Sequence, residues 1–282
     1  MTRAASAPHL QGLTLVELLI GMALTAVVMT VLLNYFMQSV TSSSQMSSMA
    51  EQQQELLNAQ QLIAGNLKDA WYVYPASQTI VLPSTSPDTV RNPIAGSNSW
   101  TTGTHPILAM ILPPTDLSAA CNTNVAGCYR FISYYAVRRS VWVQGTATTP
   151  WRNPGDEPGN ADTWVLAEYR ANMPSTFNAT VASSTFVFPP ATPPSVPLTG
   201  AANLLSDHVA PTVTTTGLTT GTYTMFQFST AGTGTAAYVN GVTINLATVA
   251  MAGGRAVRQP SGTDTYSLAI FPANVGRRPV RL

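Results

Sequence analysis

The sequence predicts an α+β fold, in which a long N-terminal α-helix packs on a mainly antiparallel β-sheet domain. An apolar segment near the N terminus is followed by a segment rich in helix-forming residues, with no proline before Pro75. After Pro75 the apolar residues recur with a period of two, in short segments that Gly, Pro or Asn separate. This second pattern is typical of strands.

Residues 13–37 have the length and composition of a membrane-spanning helix. Glu17 carries the one charge of this segment, and a helix of this length rises about 37 Å, which exceeds a hydrocarbon layer of about 30 Å. Polar residues or proline interrupt every later apolar segment, so the sequence has one candidate span. A cleaved secretory signal is the alternative, but it predicts a shorter apolar core with an Ala-x-Ala site after it. Neither feature is present.

Residues 38–74 are expected to continue the helix. Their apolar residues form one stripe, while Gln and Glu occupy much of the remaining surface. The stripe consists of Leu56, Ala59, Ile63, Leu67 and Ala70. It predicts a half-buried helix packed on a sheet. A coiled coil with a partner helix is the alternative, but the stripe lasts about two heptads, and a coiled coil needs three or four.

Residues 75–282 are expected to form the β-rich domain. Five short segments rich in β-branched and aromatic residues are strand candidates: 129–137, 162–170, 222–228, 238–246 and 266–271. Val242, Ile244 and Leu246 alternate with polar residues. This alternation predicts one buried and one solvated face, as in an antiparallel sheet.

The segment 172–222 is rich in Pro, Thr, Ser and Ala, and Asp207 is its one acidic or basic residue, histidine aside. This composition predicts an insertion or a linker. Its proline-rich part, 188–197, favours polyproline geometry because each proline fixes φ and restricts the residue before it. A surface strap is favoured over a boundary between two sub-sheets.

The sequence carries no recognisable set of catalytic or metal-binding residues. His9, His105 and His208 stand alone, without the spacing of metal ligands or a nucleophile partner. The segment AGTGTA, 231–236, lacks the lysine and the following helix of a phosphate-binding loop, and it is expected to be a hairpin turn. We therefore predict a non-enzymatic protein with no cofactor and no metal.

The C-terminal segment 251–282 is basic, because it holds five arginines and one acidic residue, Asp264, for a net charge of +4. The arginines are Arg255, Arg258, Arg277, Arg278 and Arg281. Such a charge is compatible with contacts to DNA phosphates. A solvated tail is the favoured interpretation, since no aromatic residues interleave with these arginines as single-strand binding needs.

The segment GLTLVE, 12–17, resembles the cleavage and methylation motif of type IV pilins and pseudopilins. The polar leader 1–12 and the long apolar segment agree with that resemblance. It implies that a prepilin peptidase cuts between Gly12 and Leu13 on the cytoplasmic side and that the new amino terminus is N-methylated. The helix then packs into a filament core. Leu13 stands where Phe is usual in the family.

The order of the later segments resembles the larger minor pilins of the PilW type and the type II secretion pseudopilin called J. The features that carry this resemblance are the helix end 62–71, a tyrosine-rich strand closing on an arginine at 134–139, and a partner strand ending in EYR at 168–170. A short turn at 203–209 is then expected to lead to paired strands, MFQF and VNGVTINL.

The resemblance implies a minor pilin that initiates or caps a type IV pilus-like filament. A pseudopilin of a type II secretion system is the alternative, and a single-pass envelope enzyme is a more distant one. The implied partners are other pilins, which bind through the N-terminal helix, the prepilin peptidase, the inner-membrane assembly platform and, before assembly, membrane lipid. DNA is a less favoured partner.

The flanks of the apolar segment favour a cytoplasmic N terminus. Arg3 and His9 precede the segment, whereas 38–50 carries no charge. The domain 75–282 would then lie outside the cytoplasmic membrane, in the periplasm and later on the cell surface.

Cys121 and Cys128 are the two cysteines of the chain. Because disulfides persist outside the membrane, this pair is expected to close a small loop, which would contribute about 2 to 3 kcal/mol. A pair of free thiols is the alternative, and a zinc site would need two more ligands nearby.

Glu17 has two possible roles. In a capping box, Thr14 accepts a hydrogen bond from the Glu17 backbone while the Glu17 side chain accepts one from the Thr14 backbone. In the role that the resemblance implies, Glu17 pairs with the free amine of Leu13 on a neighbouring subunit. A carboxylate inside a membrane costs about 2.5 to 3.5 kcal/mol, so either role must offset that cost.

Overall fold

The computed structural model describes residues 14–83, 89–115, 128–149, 152–210, 225–252, 255–262 and 264–277. The chain divides into two compact units, Met1–Ala50 and Glu51–Leu282. The helix α1, Leu15–Lys68, contributes residues to both units, and each unit is described by itself.

The second unit contains the C-terminal part of α1 and the other elements. Two short helices follow α1 in the described chain: α2 (Arg139–Gly145) and α3 (Ser175–Ala182). The first six strands are β1 (Tyr72–Val73), β2 (Thr79–Val81), β3 (Ser99–Thr101), β4 (Ile107–Leu112), β5 (Arg130–Arg138) and β6 (Trp164–Asn172). The later strands are β7 (Ala201–Val209), β8 (Phe226–Ala231), β9 (Tyr238–Leu246), β10 (Thr248–Ala252), β11 (Arg255–Gln259) and β12 (Tyr266–Ile270).

Seven strands form the main sheet, in the order β1-β4-β5-β6-β7-β10-β11, and every neighbouring pair is antiparallel. A second sheet has the order β12-β9-β8, and β2 pairs with β3. With the helix packed on this architecture, the predicted α+β class is confirmed.

The apolar stripe of α1 packs into the core of the second unit. Leu56, Ile63 and Leu67 are fully buried, Ala59 is nearly so, and Ala70 just after the helix is also fully buried. These residues belong to one cluster with residues of both larger sheets. The predicted half-buried helix on a sheet is therefore confirmed.

α1 ends at Lys68, which is earlier than the predicted limit at residue 74. Tyr72 and Val73 instead form β1 and pair with Ile111 and Met110 of β4. Aromatic and β-branched residues fit a sheet edge better than a helix end, which explains the earlier stop.

We expect Ile63→Ala to lower the free energy of unfolding of the second unit by about 2 to 5 kcal/mol, because it leaves a cavity between helix and sheet. The neighbouring Leu62 is 41% exposed, whereas Ile63 is 0% exposed. Leu62→Ala is therefore the matched control, with an expected loss below about 1 kcal/mol. Urea unfolding followed by tryptophan fluorescence measures both, and equal losses would contradict the packing described here.

β5 is buried on both of its faces. Ile132, Tyr134 and Ala136 belong to the cluster that contains the helix stripe, whereas Phe131 and Tyr135 belong to a second cluster on the opposite face. Because the sheet is covered on both sides, the residues between Arg130 and Arg138 are apolar or aromatic apart from Ser133, which is buried with them.

Four of the predicted strands are confirmed, with ends that differ slightly: β5, β6, β9 and β12. The fifth, 222–228, is observed as β8, which begins at Phe226 and extends to Ala231. Ala231 pairs with Tyr238, so the segment 231–236 belongs to the connection of an antiparallel hairpin, as predicted. The pairing of β8 with β9 also confirms the predicted pairing of MFQF with VNGVTINL.

The predicted turn at 203–209 is wrong. These residues lie in β7, which pairs with β6 along most of its length and with β10 at Val209. The resemblance suggested a turn here, but the Asp207 carboxylate accepts a hydrogen bond from Arg139, and the Asp207 backbone N–H donates to Glu55 of α1.

The segment 172–222, predicted as an insertion or a linker, supplies α3 and the interior strand β7. Its proline-rich part, 188–197, has no regular secondary structure. This part packs on the domain: Phe188 contacts the ring of Trp71, and the Tyr74 hydroxyl donates to the Pro194 carbonyl at 2.8 Å.

Candidate functional site

α1 begins with both hydrogen bonds of a capping box. The Glu17 backbone N–H donates to Thr14 Oγ1 at 3.3 Å, and the Thr14 backbone N–H donates to Glu17 Oε2 at 3.1 Å. The Thr14 hydroxyl also donates to Glu17 Oε2, at 3.0 Å. These bonds satisfy two backbone donors that a helix start otherwise leaves unpaired.

The Glu17 carboxylate keeps one oxygen free of these contacts. All three hydrogen bonds involve Oε2 or the backbone of Glu17, and none uses Oε1. Among the described residues no cation forms an ion pair with Glu17. Gly12 and Leu13, the predicted cleavage and methylation site, lie outside the described residues.

The first unit presents a continuous apolar helix surface. The large apolar side chains from Leu15 to Val40 are each at least half exposed. The most apolar window of α1 has a mean hydropathy of 2.4, and none of that window is buried. By length and composition, this helix can cross a membrane, and it is the one such helix in the described chain.

Three threonine hydroxyls of this helix bond within the helix itself. Thr25 donates to the Gly21 carbonyl at 2.7 Å, and Thr30 donates to the Ala26 carbonyl at 2.8 Å. Thr41 makes the same bond to Met37. These bonds satisfy hydroxyl donors that would be costly to leave unpaired in an apolar environment.

Three polar side chains fix the C-terminal part of α1 to the rest of the second unit. Gln60 donates to the backbone carbonyls of Ile244 and Tyr266, at 3.2 and 2.7 Å. Asn66 donates to the Tyr134 hydroxyl at 2.6 Å. Glu55 accepts a hydrogen bond from a backbone N–H of β7 at 3.1 Å. These directional contacts set the register of the helix on the sheet.

The strands that carry the family resemblance are neighbours in the sheet. Tyr134 of β5 lies opposite Glu168 of β6, and Ile132 lies opposite Arg170. Glu168 is buried and pairs with Arg170 at 2.7 Å. Burial and the nearby Glu168 charge raise the pKa of the Tyr134 hydroxyl, so it stays protonated.

His208, which stands alone in the sequence, is part of an ion-pair cluster in the structure. Its Nε2 lies 3.6 Å from Glu157 and 3.5 Å from Asp207. The fully buried Arg139 pairs with Asp207 at 3.0 Å and lies 3.9 Å from Glu157. Because the arginine engages both carboxylates, this cluster has the character of a structural ion-pair network.

The other described histidine is also engaged in a structural contact. His105 Nδ1 accepts a hydrogen bond from the Thr101 backbone N–H at 2.7 Å, and burial lowers the pKa of this imidazole. Neither histidine belongs to a metal-binding group, since the described residues contain no cluster of three His, Cys, Asp or Glu side chains able to hold a metal. His9 lies outside the described residues.

Arg258, one of the five C-terminal arginines, makes structural contacts. Arg258 is 7% exposed, and its Nη1 donates to the carbonyls of Pro260, Gly262 and Asp264 at 2.9, 2.9 and 2.6 Å. This side chain holds a loop, and its contact with DNA phosphates stays a prediction.

The remaining members of that arginine group are only partly described. Arg277 is exposed, and Arg255 belongs to β11. Arg278 and Arg281 lie outside the described residues. Among the five arginines of the DNA-contact prediction, Arg277 is therefore the one whose side chain is both described and exposed.

Cys128 is buried and disulfide-bonded. No described cysteine is free. Cys121, the predicted partner, lies outside the described residues.

Sequence reasoning missed three polar residues that the structure makes important: Gln60, Arg139 and Glu157. Gln60 resembles a solvent-facing helix residue, and Arg139 follows a strand. Their partners are distant in the chain, 184 positions away for Gln60 and 68 for Arg139. No local spacing could indicate such contacts.

Comparisons with models of known protein families, with characterised proteins and with solved structures give no match.

Proposed function

We propose that this protein is a non-enzymatic structural subunit of a type IV pilus-like filament. In this proposal α1 anchors the subunit in the cytoplasmic membrane, and a prepilin peptidase removes residues 1–12. The helix then enters the filament core beside the helices of other subunits. The domain after it lies on the outer side of the membrane and then on the filament.

One observation carries the proposal: the exposed apolar helix α1 begins at Leu15, within the sequence motif GLTLVE, and Glu17 is the one charge among residues 13–37. A membrane anchor alone needs the apolar surface, and its carboxylate would serve only the capping box with Thr14 at the cost of placing a charge in the apolar segment. A helix that must recognise a positively charged amine on a neighbour needs both.

The large domain favours a minor subunit over the major one. More than two hundred residues follow Ala50 in the second unit. Bulky domains crowd one another along a filament shaft, whereas a tip accommodates them. A pseudopilin of a type II secretion system shares the same helix chemistry and remains the alternative assignment.

We expect the mature protein in the membrane fraction to begin at an N-methylated Leu13. Mass spectrometry of the N-terminal peptide measures both the cut and the methyl group. Gly12→Val should block cleavage, because a branched side chain replaces the glycine at the cut. Gly21→Val is the matched control and should be processed normally, since an added Cβ at Gly21 meets nothing within 4 Å.

Two results would contradict the proposal. One is cleavage at a site within or after the apolar segment, which would indicate a secretory signal. The other is efficient filament incorporation of the uncleaved Gly12→Val chain, which would show that the exposed amine has no role.

A further inference from the structure

A pocket lies at the end of the main sheet where β5 begins and β6 ends. Its volume is about 430 Å³, and the residues that line it include Arg130, Ile132, Arg170, Asn172, Thr199 and Gly200. Arg130 lies opposite Asn172 and Ile132 lies opposite Arg170, so these four residues share one face of the sheet. The residues that line the pocket are far in the sequence from the start of α1, and the pocket has no part in the proposed peptidase cleavage.

Arg130 brings an uncompensated charge to this pocket. Its Nε is buried, and no hydrogen-bond acceptor contacts it. None of the ion pairs formed within the described residues involves Arg130. A buried guanidinium donor without an acceptor is costly, and a bound anion would remove that cost.

Arg170 is already paired, in contrast to Arg130. Glu168 lies 2.7 Å from Arg170 Nε, and this carboxylate raises the pKa of the guanidinium. The two arginines and Glu168 together leave one net positive charge at the pocket. One negative charge on a ligand therefore balances the site.

Close packing holds the part of the pocket lining that Gly200 forms beside β6. A Cβ at Gly200 would lie 2.6 Å from the Arg170 carbonyl oxygen and would also overlap the ring of Tyr169. Only glycine permits this approach of the chain before β7 to β6. Asn172 and Thr199 add an amide and a hydroxyl donor to the lining.

We propose that this pocket binds a carboxylate group, with Arg130 as its principal contact. A planar carboxylate matches the guanidinium fork and carries the single charge that the site lacks. A phosphate dianion brings a second charge, which the buried Glu168 opposes. The carboxylate belongs either to a protein partner, as an acidic side chain, or to a small free acid.

The test uses the full chain in detergent at pH 7 with ¹⁵N-labelled arginine, and it follows the Nε–H signals of Arg130 and Arg170. The probes are acetate, an aspartate residue blocked at both ends, and inorganic phosphate. We expect saturable shifts of both signals with the two carboxylates. Phosphate should bind more weakly than either.

Arg130→Gln should weaken carboxylate binding at least about tenfold, read on the Arg170 signal, because it removes a charge-assisted hydrogen bond. Arg277→Gln removes one exposed arginine elsewhere and should leave binding unchanged. Arg130→Lys keeps the charge without the fork, and it should bind with intermediate affinity. This third variant keeps the test decisive if Arg130→Gln does not fold.

Tighter binding of the blocked aspartate than of acetate would support a protein-borne carboxylate, and equal binding would support a free acid. Absence of a saturable shift would overturn the proposal, as would undiminished binding by Arg130→Gln. Tighter binding of phosphate would overturn the carboxylate assignment. All of these results are independent of filament assembly.

Discussion

Glu17→Gln is expected to be cleaved by the prepilin peptidase and retained in the membrane, yet to fail to join filaments. Glutamine can occupy the capping box nearly as well as glutamate, because its amide oxygen accepts the hydrogen bonds from Thr14. It cannot neutralise the positive amine of an incoming subunit. Breaking one side of a buried ion pair costs about 3 to 5 kcal/mol, so incorporation should fall by at least about a hundredfold.

The geometry at the helix start lets one carboxylate serve both roles. The capping box uses Glu17 Oε2, whereas Oε1 has no hydrogen bond within the described residues. A neighbouring amine can therefore approach Oε1 while the cap stays formed. The cap would hold the carboxylate in place before assembly and reduce the cost of fixing it.

Glu51→Gln is the matched control, because it removes an exposed carboxylate from the same helix outside the apolar segment. It should be incorporated at the normal level. The measurement is the amount of each variant in sheared filaments relative to the membrane fraction. Normal incorporation of Glu17→Gln would leave the capping box as a sufficient explanation for this carboxylate.

Local patterns predicted the features that depend on local contacts. The capping box joins residues three positions apart, and the stripe from Leu56 to Leu67 repeats with the helix period. Strands β5 and β6 were predicted because they are short segments rich in β-branched and aromatic residues.

Features that depend on distant partners escaped prediction. Strand β7 contains Ser206 and Asp207, which are typical of turns, yet it pairs with β6, and Arg139 binds the Asp207 carboxylate. Strand β4, ILAMIL, is buried throughout and shows no period of two. The pocket at Arg130 likewise needs two strands and a glycine whose proximity only the fold creates.

The second large effect is expected at Arg139. The substitution Arg139→Met should lower the free energy of unfolding by about 3 kcal/mol. Arg139 is 1% exposed and Asp207 14% exposed, so the substitution leaves a mostly buried carboxylate without its partner. Asp207 also supports the helix, since its backbone N–H donates to Glu55 of α1.

The adjacent arginine supplies the control. Arg138 pairs with Asp162 at 3.1 Å, but these side chains are 30% and 90% exposed, so Arg138→Met should cost less than about 1 kcal/mol. Adding Asp207→Asn to Arg139→Met should recover part of the loss, because it removes the orphaned charge and keeps an acceptor for the His208 backbone N–H. Urea unfolding of the four proteins measures these differences. Equal losses of unfolding free energy for Arg138→Met and Arg139→Met would show that burial does not distinguish the two ion pairs. A double variant less stable than Arg139→Met would contradict the explanation by an orphaned charge.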